Sequence, residues 1–300
     1  MDSHTRRDFA LRTAGLAISV SAAVQAQPVP SVPKGPWTKE GDVQRGGTRI
    51  HYAEMGSGPP VILLHKLGGW IADWRHIAPA LSKSYRVIAI DMPGHGDSMI
   101  NGPAPFLQSL PESAAVLLAA IDDLKIDRFD IVGSSLGATC GIVMAGLWPE
   151  RIKHLAMIGA ALNPGVKRED LEKAVEPPGQ WDAKGLPIPR SFEGAMDRAG
   201  ISDRAIHDEQ NASRAKAGAW VLPSQRGVAA AAVASYLPRI TAPTLLIYGE
   251  NGGYKNYEAV AKAKVKRIRT VTVPGAGSFT YQDRPRETEA LLLPFLAQPI

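Results

Sequence analysis

The chain has 300 residues, 45% hydrophobic and 21% charged, with a formal net charge of +5; this composition excludes disorder as the default and leaves room for one large or two modest domains. Its 34 basic residues against 29 acidic ones form no basic block with interleaved aromatics, which speaks against nucleic acid as a partner. The single cysteine, Cys140 in "GATCGIVMAG", cannot make an internal disulfide and reads as a buried structural thiol.

In chain order, "TRRDFALRTAGLAISVSAAVQAQ" sets Arg6 and Arg7 before Phe9, then an apolar stretch, then small residues ending at Ala26. The pattern resembles a bacterial twin-arginine export signal, so residues 1–26 are expected to be a signal peptide and the mature protein periplasmic or secreted. No other run of about 18 apolar residues occurs, and no stable membrane insertion is expected after signal removal. Residues 27–47, with "QPVPSVPKGPW", read as a linker and N-terminal extension.

From Thr48 short apolar runs alternate with helix-like segments: "TRIHYAEMG", "PVILLH", "ADWRHIAPALSKS", "YRVIAID", "FLQSLPESAAVLLAAIDDL", "FDIVGSS", "LGATCGIVMAGLWP" and "IKHLAMIGA". Continuous apolar strands between helices predict an α/β fold with a mainly parallel sheet covered on both faces, the first strand an antiparallel edge. Residues 163–238 break the pattern, with a Pro- and Gly-rich stretch followed by helical segments, and read as a mostly helical cap inserted after the sixth core strand. Strands resume in "APTLLIYGE" and "RIRTVTVPG", and "RPRETEALLLPFLAQ" closes the chain as a helix, so residues 48–162 and 239–300 form the core.

Between a strand and a helix lies G-x-S-x-G, with Gly133, Ser135 and Gly137. A sharp strand-to-helix turn at this pattern holds a serine in a strained conformation at a helix N-terminus, where free N–H groups favour developing negative charge. With "VILLHKLGG", "DMPGHGDS" and "PGAG" in order around it, the chain resembles the α/β-hydrolase fold family over residues 48–159 and 242–298.

That resemblance implies Ser135 as the nucleophile and the backbone N–H groups of Leu67 and Leu136 as oxyanion donors. It also exposes departures. Lys66 stands where the family has glycine, either as a solvated side chain turned outward or as an amine beside the serine that substitutes for the base. The acid's position holds Gly252, the alternative acid position offers only Asn163, and the histidine's position holds Ser278. In serine proteases, loss of the histidine costs on the order of a million-fold in kcat, roughly 8 kcal/mol of barrier.

His207 in the cap is a weaker candidate base, and Glu250 follows the acid's strand two residues early. His95 supports a turn in this family, while His51, His76 and His154 look like strand-edge or helix-surface positions; Ser278 and Tyr281 could position a water without activating it. The expectation is a hydrolase-like enzyme on a small ester, lactone or related carbonyl substrate, the alternative a lyase- or cyclase-type or catalytically silent ligand-binding member of the fold. No cofactor is expected, and no metal, because no His or carboxylate cluster has ligand spacing.

Overall fold

The computed structural model describes residues 35–45, 47–175 and 179–300, so the expected export signal lies outside the described residues. Strands β1 (Lys39–Arg45), β2 (Thr48–Met55) and β3 (Pro60–Leu64) lead to a one-turn helix α1 (Ala78–Leu81), then β4 (Arg86–Ile90) and β5 (Met99–Ile100). Helix α2 (Leu110–Asp123), β6 (Phe129–Ser134), α3 (Leu136–Leu147) and β7 (Ile152–Ile158) follow. Next among the described residues come helices α4 (Leu171–Val175), α5 (Phe192–Ala199), α6 (Arg204–Ala217) and α7 (Val221–Ala230). The chain ends with β8 (Thr244–Gly249), α8 (Glu258–Lys264), β9 (Ile268–Val273), α9 (Thr280–Asp283) and α10 (Pro285–Leu296).

Among the described residues the strands form one sheet in the order β1-β2-β4-β3-β6-β7-β8-β9, with β5 beside β2. Pairing is parallel from β4 through β9 and antiparallel around β2. Alternate residues of each strand feed the two faces: Ile62 and Leu64 of β3 pack with α2, α3 and α8, whereas Val61 and Leu63 pack with α1 and α10. Burial on both faces explains why these strands read as unbroken apolar runs.

The edge differs from expectation. β1 lies inside the stretch read as linker and pairs with β2 from Lys39 opposite Glu54 to Arg45 opposite Thr48, so β2 is flanked on both sides. "KEGDVQR" buries only Val43 and carries no clear alternation; its partner makes it a strand.

The insertion after β7 is helical, as expected, and covers the C-terminal ends of the parallel strands. Asp203 caps α6 by accepting from the amides of Ala205 and Ile206, and Ser191 caps α5 through the Gly194 amide. The Arg75 guanidinium donates twice to the Glu209 carboxylate, at 2.5 and 2.6 Å, tying α6 to the core.

Candidate active site

The turn from β6 into α3 places Ser135 at φ 48° and ψ −107°, outside the regions an L-residue prefers. Such backbone costs of order 1–3 kcal/mol and persists only where its surroundings enforce it. Here the Ser135 amide donates to the Ile158 carbonyl and the Gly137 amide to the His65 carbonyl, both at 3.0 Å. A Cβ at Gly137 would strike the Leu64 carbonyl, so the turn closes only with glycine there. Leu136 opens α3, where an amide has no intrahelical acceptor.

The loop after β3 packs against this turn. His65 is buried: its Nε2 accepts from the Met92 amide, so the ring proton sits on Nδ1, which donates to the Lys66 carbonyl at 2.7 Å. Burial pushes its pKa down to about 3, and the neutral ring braces the loop. Lys66 fits neither expectation. It is 3% exposed, and its amine donates to the buried Asp73 carboxylate at 2.7 Å instead of facing solvent or Ser135. A base must accept a proton, and this ammonium is committed to a buried ion pair.

The positions read as the missing acid and histidine lie together. A Cβ at Gly252 would come within 3.0 Å of Ser278 Oγ, and that oxygen accepts from the Gly253 amide at 3.2 Å. Ser135 Oγ instead shares a 2.9 Å hydrogen bond with the hydroxyl of Tyr254. The Tyr254 ring lies against Gly159, beside the Ser278 carbonyl, so the phenol fills the space between these positions and the serine. Burial raises its pKa and keeps it neutral at ordinary pH. Sequence reasoning missed Tyr254; its one signal was an aromatic two residues past Gly252 in "GENGGYKNY".

Other candidates lie elsewhere. His207 is not on a solvated helix face: it is buried within the cap, between the Asp208 carboxylate at 2.7 Å and the Arg190 carbonyl at 2.9 Å. Glu250 accepts from the Gly275 amide, Asn163 bridges Val228 and Gly165, and Tyr281 is buried and stacked on Trp74. His154 is no surface residue but lies buried against Asp130. Cys140 is buried, and burial alone pushes its pKa up to about 12.

Ser135, Lys66, Leu67, Leu136, Tyr254 and Ser278 line one cavity of about 320 Å³, roofed by cap residues. Its size falls within the range of small-molecule sites. Away from it, the fold brings His51, Asp91 and Asp97 within 4.8 Å of one another, a group the sequence spacing does not show. The Asp91 oxygens already accept from the Ile71 and Asp97 amides, which accounts for the cluster as a turn brace.

The family model for the alpha/beta hydrolase fold matches residues 59–220. Over 121 residues the chain is 35% identical to a 2-hydroxy-6-oxo-2,4-heptadienoate hydrolase of Pseudomonas putida, covering 39% of this chain and 43% of that protein. Over 132 residues it is 36% identical to the dihydrolipoyllysine-residue acetyltransferase component of the acetoin cleaving system of Pseudomonas putida, covering 43% of this chain and 34% of that one. The matches thus span less than half the length of these curated relatives. Among solved structures, the enol-lactonase from Burkholderia xenovorans LB400 superposes with a TM-score of 0.73 at 21% identity, covering 86% of this chain and all of the other, a likeness of fold. With a family match over more than half its length, a strained serine between β6 and α3, and a mainly parallel sheet, the chain belongs to the α/β-hydrolase fold family.

Proposed function

We propose that this chain is a hydrolase-like enzyme acting on a small ester, lactone or related carbonyl compound, with Ser135 as its nucleophile. The observation that carries the reading is the strained Ser135 on a cavity of ligand size, its Oγ held by a hydroxyl partner. Hydrolases among the relatives and an enol-lactonase among the structural neighbours lend support. In this reading Ser135 Oγ adds to the carbonyl carbon, the amides of Leu67 and Leu136 receive the developing oxyanion, and the serine proton passes to Tyr254. A neutral phenol cannot take that proton, so the reactive species is the phenolate. The rate then climbs about tenfold per pH unit until the phenol's raised pKa is reached. Gly252 and Ser278 are the places where the family's acid and histidine have been lost, with Tyr254 in their stead.

The neutral phenol also favours a second reading, a member of the fold that binds a ligand without hydrolysing it. Intact-mass analysis after fluorophosphonate treatment separates the two. The expected result is one adduct that forms faster at pH 10 than at pH 7, is absent in Ser135→Ala and loses its pH dependence in Tyr254→Phe. A folded protein that gains no adduct even at pH 10 would leave only the binding reading. Export belongs to the same proposal: replacing Arg6 and Arg7 by lysine is expected to retain the chain in the cytoplasmic fraction, and unchanged export would overturn it.

A further inference from the structure

Three arginines of the cap line the cavity that holds Ser135: Arg190 ahead of α5, Arg198 in the last turn of α5, and Arg214 in α6. The same three line an adjoining cavity of about 150 Å³, so they stand between the two spaces. No ion pair or side-chain hydrogen bond among the described residues engages any of the three guanidinium groups.

Arg214 is the one that demands an explanation. Only 5% of it is exposed, and its Nε and Nη1 are buried without a hydrogen-bond partner among the described residues; the Trp181 ring lies 5.7 Å from Cζ. Burial, with repulsion from Arg190 and Arg198, lowers its pKa to about 9, which still leaves it cationic at neutral pH. A buried guanidinium without an anion is strongly unfavourable.

The fold nonetheless makes room for it. Gly68 of the loop after β3 has φ +68°, and a Cβ there would come within 2.5 Å of Arg214 Cγ, so the stem of Arg214 crosses the same loop whose Leu67 lines the cavity. A charge built into such a place without a partner points to a partner that arrives with the ligand. The remaining walls, including Leu67, Leu136, Val228 and Phe279, suit an apolar body between the anionic end and Ser135.

The geometry assigns the cavity to a small carbonyl compound bearing a carboxylate, anchored by Arg214, with Arg190 and Arg198 drawing it in from the neighbouring space. A planar guanidinium offers a carboxylate two parallel N–H donors, which fixes orientation as well as charge. The carbonyl end of this assignment rests on the hydrolase-like reading; the anionic end rests on the arginines alone.

The test is therefore binding without turnover, in full-length Ser135→Ala, by calorimetry with benzoate and its neutral isostere benzamide. Benzoate is expected to bind at least about tenfold more tightly. Arg214→Met should abolish that preference and raise Tm, since it removes an unpaired buried charge, whereas a merely structural arginine would lower Tm on removal. Arg190→Met, at a half-buried position, should weaken benzoate about threefold to tenfold and leave benzamide unchanged. Equal affinities for the two probes, no benzoate binding at millimolar concentration, or full preference in folded Arg214→Met would each overturn the assignment. Fluorophosphonate labelling without benzoate preference would sink the anion site and keep the nucleophile; preference without labelling would do the reverse.

Discussion

At the scale of single residues, the site turns on which groups hold Ser135 and which merely stand near it. Lys66 shares the cavity, yet its amine belongs to Asp73, and the Gln282 amide lies 3.5 Å from the other Asp73 oxygen. Lys66→Met would strand a carboxylate that is fully buried. Breaking a buried pair in this way costs about 3–5 kcal/mol, whereas replacing both partners by apolar groups is often neutral. Urea denaturation is expected to show that loss for Lys66→Met and recovery of most of it when Asp73→Leu is added. If Lys66 served instead as the base, the single variant would keep its stability and lose fluorophosphonate labelling, so the two measurements together decide its role.

At the scale of elements, the site is assembled where the loops after β3, β6, β7, β8 and β9 meet the cap at the C-terminal ends of the parallel strands. The strands themselves were legible because burial on both faces leaves unbroken apolar runs, and the turn at Ser135 was legible because only glycine tolerates its neighbours at 133 and 137. β1 was not, since one buried residue in seven carries no period and the strand exists through its pairing with β2. Tyr254 and Arg214 escaped for a related reason. Each is defined by what lies across a gap in sequence: Tyr254 by a serine 119 positions away, Arg214 by a glycine in the loop after β3. Periodicity records what a residue does within its own element and is silent on the partner that element meets. The cap shows this in reverse, because α6 reads as an ordinary polar helix, yet its buried face carries Arg214, Gln210 and His207 onto the core and the rest of the cap.

At the scale of the whole molecule, buried titratable groups set how stability depends on pH. Burial lowers the pKa of His65 and His95 to about 3 from 6.5, so unfolding takes up two protons below about pH 6.5, and their contribution is lost as pH falls toward 3. Burial raises Asp91 to about 7 and Asp283 to about 6 from 3.8, so unfolding releases protons from both above about pH 4, and their contribution is lost as pH rises through those values. From about pH 4 to 6 the two pairs cancel. Below about pH 4 the carboxyl groups are protonated in both states and only the histidines remain, at about 1.4 kcal/mol per pH unit for each proton. Unfolding free energies from urea titrations should therefore be nearly level between about pH 4 and 6 and drop steeply below. Asp91→Asn, whatever its overall cost, should tilt the level region so that stability rises with pH by about 1.4 kcal/mol per unit, because one opposing proton is gone. A wild-type curve that already climbs through that region would mean that Asp91 or Asp283 is ionised in the fold; a slope left unchanged by Asp91→Asn would identify Asp91, and the turn it braces would then owe its stability to a buried charge instead of a neutral acid.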